Sequence, residues 1–108
     1  MKQELDKDIL DIAISWNTSG LKLAIATVIK TWGSSPRPVG SQLLINETGE
    51  FVGSVSGGCI EGAVIQSALE VIEDKKPRLL DFGVTNSQAW EVGLACGGKV
   101  QIFVENIS

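Results

Sequence analysis

The chain opens on a helical pattern. Leu5, Ile9, Ile12 and Trp16 share one face of the helical wheel, with Asp6, Asp8, Asp11 and Ser15 elsewhere on it. This predicts a helix from Gln3 to Thr18, stopped by Ser19-Gly20. From Leu23 to Ile29 nearly every residue is apolar or β-branched, so Lys22 to Trp32 reads as a buried strand. Gly33-Ser-Ser-Pro-Arg-Pro-Val-Gly40 sets two prolines around Arg37 between bounding glycines, which makes it a stiffened loop. Ser41 to Ile45 and Glu50 to Val55 read as short strands joined by a hairpin turn at Asn46-Glu-Thr-Gly49.

A second helix is expected to start at Cys59, with Ile60, Val64, Ala68, Val71 and Ile72 on its buried face. Glu61 falls in its first turn, where the helix dipole favours an acid, and Lys75 and Lys76 near its end, where it favours bases. Pro77 ends the element, and Arg78 to Phe82 reads as a strand. Gly83 to Leu94 is irregular or a short helix around Trp90. Lys99 to Glu105 alternates, with Val100, Ile102 and Val104 on one face. The expected fold is α/β of an α+β-like kind, a mixed β-sheet of about five strands packed with two main helices.

Composition narrows the function classes. At 108 residues, 44% of them hydrophobic, residues 1–108 form one domain whose core needs no disulfide. A net charge of -4, from 13 acids against 9 bases, supplies no basic face, so no nucleic-acid partner is expected. No apolar run approaches the roughly 20 residues of a bilayer span, so no membrane partner is expected either. Met1 to Asp8 carries mixed charges, unlike a signal peptide, and the expected location is the cytoplasm, where thiols stay reduced. With no histidine, a Ser-His-Asp or Cys-His engine cannot be built within one chain. Two thiols are also too few for a four-ligand zinc site of the Cys and His kind.

The candidate chemistry lies in the two cysteines, each set against a Gly-Gly pair: Ser56-Gly57-Gly58-Cys59-Ile60-Glu61 and Leu94-Ala95-Cys96-Gly97-Gly98-Lys99. A strand, Ser-Gly-Gly and a helix start make an anion site from unpaired helix amides. A thiol placed there is more acidic and a better soft-metal ligand. The plain alternative is a tight turn with a small buried cysteine. Gly93 to Lys99 matches the start of a phosphate-binding P-loop, but Val100 stands where that loop needs Ser or Thr, and a strand follows instead of a helix. What survives is an anion-binding nest of glycine amides beside Cys96, or a glycine-rich bend entering an edge strand. Arg37, stiffened by its prolines, could fork onto a phosphate or stand as a solvated loop arginine. Two thiols at one sheet edge could form a disulfide, hold one soft metal or flank a cofactor.

Three segments together resemble the XdhC/CoxI family, accessory proteins of xanthine dehydrogenase and carbon monoxide dehydrogenase. They are Gly33-Ser-Ser-Pro-Arg-Pro-Val-Gly40, Gly53-Ser-Val-Ser-Gly-Gly-Cys-Ile-Glu61 and Trp90-Glu-Val-Gly-Leu-Ala-Cys-Gly-Gly98, and the match runs in order from about Leu23 to Glu105. The resemblance implies an accessory chaperone, not an enzyme. Such a protein binds the molybdenum cofactor (molybdopterin) transiently, supports its sulfuration by a cysteine desulfurase, and delivers it to an apo-molybdenum hydroxylase of the xanthine or carbon monoxide dehydrogenase type. Arg37, Ser56, Gly57, Gly58, Cys59, Glu61, Cys96, Gly97 and Gly98 match the family pattern and are the implied cofactor-binding residues. Cys59 and Cys96 are the candidates for contact with molybdenum. Glu61 would orient the first helical turn, take a proton, or merely offset the dipole. Self-association is compatible with such a chaperone.

The chain also departs from the family pattern. Many members continue into a C-terminal Rossmann domain, which is expected to be absent here. Thr85-Asn86-Ser87-Gln88-Ala89 stands where acidic residues are expected in relatives. The rival reading is a thiol-based redox or sulfur-carrier module using Cys59 and Cys96.

Overall fold

The computed structural model describes residues 2–32, 38–55, 60–82 and 99–107. Helix α1 spans Lys2–Thr18, and strand β1 follows over Leu23–Trp32. Strands β2 (Gln42–Asn46) and β3 (Phe51–Gly53) lead to helix α2 (Glu61–Asp74). Strands β4 (Arg78–Phe82) and β5 (Lys99–Asn106) complete the order. The strands form one sheet in the order β3-β2-β1-β5-β4. The α+β class, two helices and five strands agree with the sequence expectation. The direction of pairing differs: the sheet was expected to be mixed, and among the described residues all four pairings are antiparallel. The physical reason is connectivity. A helical crossover makes a parallel pair only when it lands beside the strand it left. Helix α2 instead leads from β3 at one edge to β4 at the other.

Each helix covers one face of the sheet. Alternation along β1 points Ala24, Ala26 and Val28 to one side, with Val100, Ile102 and Val104 of β5 and Leu43 and Ile45 of β2. Onto that side α2 lays Val64, Ala68, Val71 and Ile72, four residues of the predicted face, all buried. On the other side Ile9 of α1, with Ile12, Ala13 and Trp16, packs against Leu44, Leu23, Ile25 and Val52.

Local chemistry ends the elements. Asn46 is fully buried at the close of β2, and its Oδ1 accepts from the amides of Thr48 at 2.9 Å and Glu50 at 3.1 Å. Its Nδ2 donates to Glu50 Oε1 at 3.1 Å, so one side chain closes the turn that Gly49 completes at a φ of 90°. Helix α2 ends where Lys75 takes the left-handed conformation and its amide donates to Val71 O at 2.7 Å. Arg78, the first residue of β4, then pairs with Glu70 and Asp74 of that helix. The Lys76 amide, and after it the Arg78 guanidinium, hold the Asp74 carboxyl below its ordinary range.

Strand β3 is shorter than the predicted Glu50 to Val55 because Gly53 turns out of the ladder at a φ of 93°. A Cβ there would also run into the carbonyl oxygen of Gln42. Gly53→Ala should therefore destabilise by about 3 kcal/mol, from the strained backbone and the clash together. Urea unfolding measures it, and a loss under about 1 kcal/mol would show that the strand end shifts freely.

Candidate functional site

Antiparallel pairing has a geometric consequence for the three motif segments. Strand β1 runs toward Trp32, which pairs with Lys99 at the start of β5. Phe82, the last residue of β4, pairs with Val100. On the other flank of β1, Val28 N donates to Ser41 O at 2.9 Å, and Ser54 N donates to Gln42 O at 3.1 Å. Gln42 begins β2 with Ser41 just before it, and Ser54 follows β3. The described residues that flank segments 33–37, 56–59 and 83–98 therefore all stand at the same end of the sheet. The two flanks are staggered along β1 by the stretch from Val28 to Trp32, roughly 13 Å of strand. A bulge in the β1–β5 pairing, between Val28 and Lys30, falls in that stretch.

Of the predicted site residues, Glu61 is described. Arg37, Ser56, Gly57, Gly58, Cys59, Cys96, Gly97 and Gly98 lie outside the described residues, as do Trp90, Glu91 and the Thr85 to Ala89 stretch. Glu61 is the first residue of α2 and half-buried. Its Oε2 accepts from Ser54 Oγ at 2.6 Å and from Val55 N at 3.1 Å. The acid is thus bound to the two residues that follow β3. Dipole compensation alone would not require that. The helix starts two residues later than the sequence suggested, with Ile60 at the N-cap and no side-chain cap bond.

Sequence reasoning missed Ser41 and Ser54. Ser54 carried one available signal, a hydroxyl seven residues before an acid that opens a helix. Ser41 carried none. It is 4% exposed, and among the described residues its Oγ is the buried side-chain oxygen or nitrogen with no hydrogen-bond partner. Ser41 immediately precedes β2, and its carbonyl accepts from Val28 N at 2.9 Å, which sets it at the common end of the sheet. A buried hydroxyl left unpaired is a net cost to folding.

Ser41→Ala should therefore stabilise the chain by about 1 kcal/mol. The midpoint of urea unfolding reports the sign. A fall in the midpoint would show that the hydroxyl already holds part of the fold.

Comparison with known proteins sets this geometry in context. The model of the XdhC and CoxI family matches residues 16–83. The chain is 31% identical over 101 residues to the molybdenum cofactor insertion chaperone PaoD of Escherichia coli, covering 94% of this chain and 31% of that protein. It is 27% identical over 86 residues to a probable xanthine dehydrogenase subunit of Bacillus subtilis, covering 78% of this chain and 26% of that one. A crystal structure of a xanthine dehydrogenase from Bacillus halodurans superposes with a TM-score of 0.75 at 26% identity, over 93% of this chain and 30% of that one. The chain thus spans a third or less of the length of each of these relatives.

Proposed function

The chain belongs to the XdhC and CoxI family, and from that premise we propose that it binds the molybdenum cofactor as cargo during maturation of a xanthine dehydrogenase-type enzyme. One observation carries the reading beyond the family. The described residues that flank all three motif segments share one end of the sheet, which supports the reading that Arg37, Cys59 and Cys96 serve one site. Three segments distant in sequence and rooted at one end form the usual plan of a small-molecule site on a rigid scaffold.

The donor set suits the cargo. Molybdopterin carries a phosphate, which suits the amides of Gly57 and Gly58 ahead of a helix and the guanidinium of Arg37. Its dithiolene-bound metal suits the soft thiolates of Cys59 and Cys96. The Ser41 hydroxyl, without a hydrogen-bond partner among the described residues, adds a buried polar group at the same end. In this reading Ser56, Gly97 and Gly98 complete the cradle, and the chain binds, shields and hands on the cofactor without turning over a substrate. A desulfurase that sulfurates the bound cofactor and an apo-hydroxylase that receives it are the partners this role requires. The names of the relatives support the chaperone class, one being a molybdenum cofactor insertion chaperone.

Anaerobic mixing with molybdopterin followed by gel filtration tests the proposal. Molybdenum should co-elute with the chain, and Cys59→Ala and Cys96→Ala should each weaken retention while the far-ultraviolet spectrum is kept. Equal retention by the double variant and the parent would contradict it.

A further inference from the structure

The two faces of the sheet are covered unequally. Helix α2 lies over β5, β1 and β2 on one face, whereas α1 rests on β1, β2 and β3 on the other. On the α1 face, the register sets Glu105 and Phe103 of β5 beside Ile25 and Thr27, and Leu79 of β4 beside Phe103. Asp81 and Gln101 are the next pair on that face, with Gln101 Nε2 donating to Asp81 Oδ1 at 2.9 Å. Among the described residues this β5–β4 half is left largely open. Leu79 is 51% exposed, and Phe103 and Glu105 are half-buried.

Helix α1 meets the open half with apolar residues. Leu10 and Ile14, one turn apart, are 62% and 64% exposed. With Ala13, Asn17, Leu23 and Ile107 they line a groove of about 190 Å3. Leu23 begins β1, Ile107 follows β5, and the Ile107 amide donates to Leu23 O at 3.1 Å. The groove therefore lies on the β5 side of α1. The face as a whole is a step, with a helix over one half and a trough over the other.

We propose that this face joins two copies of the chain about a two-fold axis, with α1 of each copy seated in the open β5–β4 half of its partner. A step of this shape is its own complement, because a copy turned over brings its helix to the trough and its trough to the helix. That is what a two-fold interface requires of a single patch. The area suits a second copy. Leu10, Ile14, Leu79 and Ile107 together expose on the order of 400 Å2 per copy, large for one monomer and about half of the roughly 800 Å2 that each partner of a stable pair buries. The half-buried floor and a polar rim supply the remainder. Pairing would desolvate Glu105, so its charge opposes the dimer. The inference uses none of the motif segments and does not depend on what the chain binds.

Sedimentation equilibrium on the reduced full chain, from about 1 to 500 µM, tests it. A reversible monomer–dimer equilibrium is expected. Ile14→Lys and Leu79→Glu should each weaken it by about tenfold or more, since each buries an unpaired charge. Mixed one to one, these two variants should associate more tightly than either alone, because the lysine on one helix then meets the glutamate on the other floor. Glu105→Gln should tighten the dimer. Phe51→Lys is the control: Phe51 is 49% exposed but pairs with Ile45, on the α2 face, and the dimer should be unchanged. Far-ultraviolet spectra confirm folding, and if Leu79→Glu fails to fold, Leu10→Lys, with Ile14→Lys, carries the test on the helix. A monomer at every concentration would overturn the proposal and leave the face to a different chain. Equal weakening by Phe51→Lys would overturn it, as would a mixture no tighter than its components. So would weakening by Glu105→Gln, the result expected if the trough received a basic helix of another protein.

Discussion

The pairing of β1 on both of its edges is the constraint from which the rest of the molecule follows. It is the central strand, bonded to β2 on one side and β5 on the other. Its inward residues Ala24, Ala26 and Val28 are fully buried, and their small size lets α2 lie close through Ala68. A slip of one residue in either register would turn this alternation over and set Ile25 and Thr27 against α2 instead. Because both neighbours run opposite to β1, its far end is also where β2 and β5 begin. The grouping of the motif flanks is thus a product of strand direction, and strand direction is held by the core.

Much of this was legible along the chain, and the exceptions have physical causes. The two helices announce themselves by periodicity: Ile9, Ile12 and Trp16 against one face, Val64, Ala68, Val71 and Ile72 against the other. The alternation of Val100, Ile102 and Val104 marks β5 equally well. Strand direction was not legible, because it depends on where the α2 crossover lands, a non-local fact. The end of β3 was misjudged because Gly53 reads as an ordinary strand residue until its positive φ is known. Asn46 was visible as a turn residue. That it is buried and closes the turn with one amide group emerges only in three dimensions.

The site divides in the same way. Its candidate residues were named on chemistry alone, since thiols, glycine pairs and an arginine between prolines carry chemistry whatever the fold, and they lie outside the described residues. The supporting shell was not. Ser54 and Ser41 are common residues in unremarked positions, and what distinguishes them is a partner in one case and, among the described residues, the lack of one in the other. A serine's meaning depends on what faces its hydroxyl, and sequence does not carry that. The two levels meet in Glu61, whose placement in the first turn was expected and whose bond to Ser54 was not.

The central claim is that Cys59 and Cys96 line a single pocket. The most direct measurement uses phenylarsine oxide, a trivalent arsenical that bridges two thiols within reach of one atom. Intact mass and peptide mapping after treatment of the reduced chain should show one arsenical per chain linking the Cys59 and Cys96 peptides. Adducts confined to separate thiols, or none surviving dilution, would place the two sulfurs apart and contradict the account.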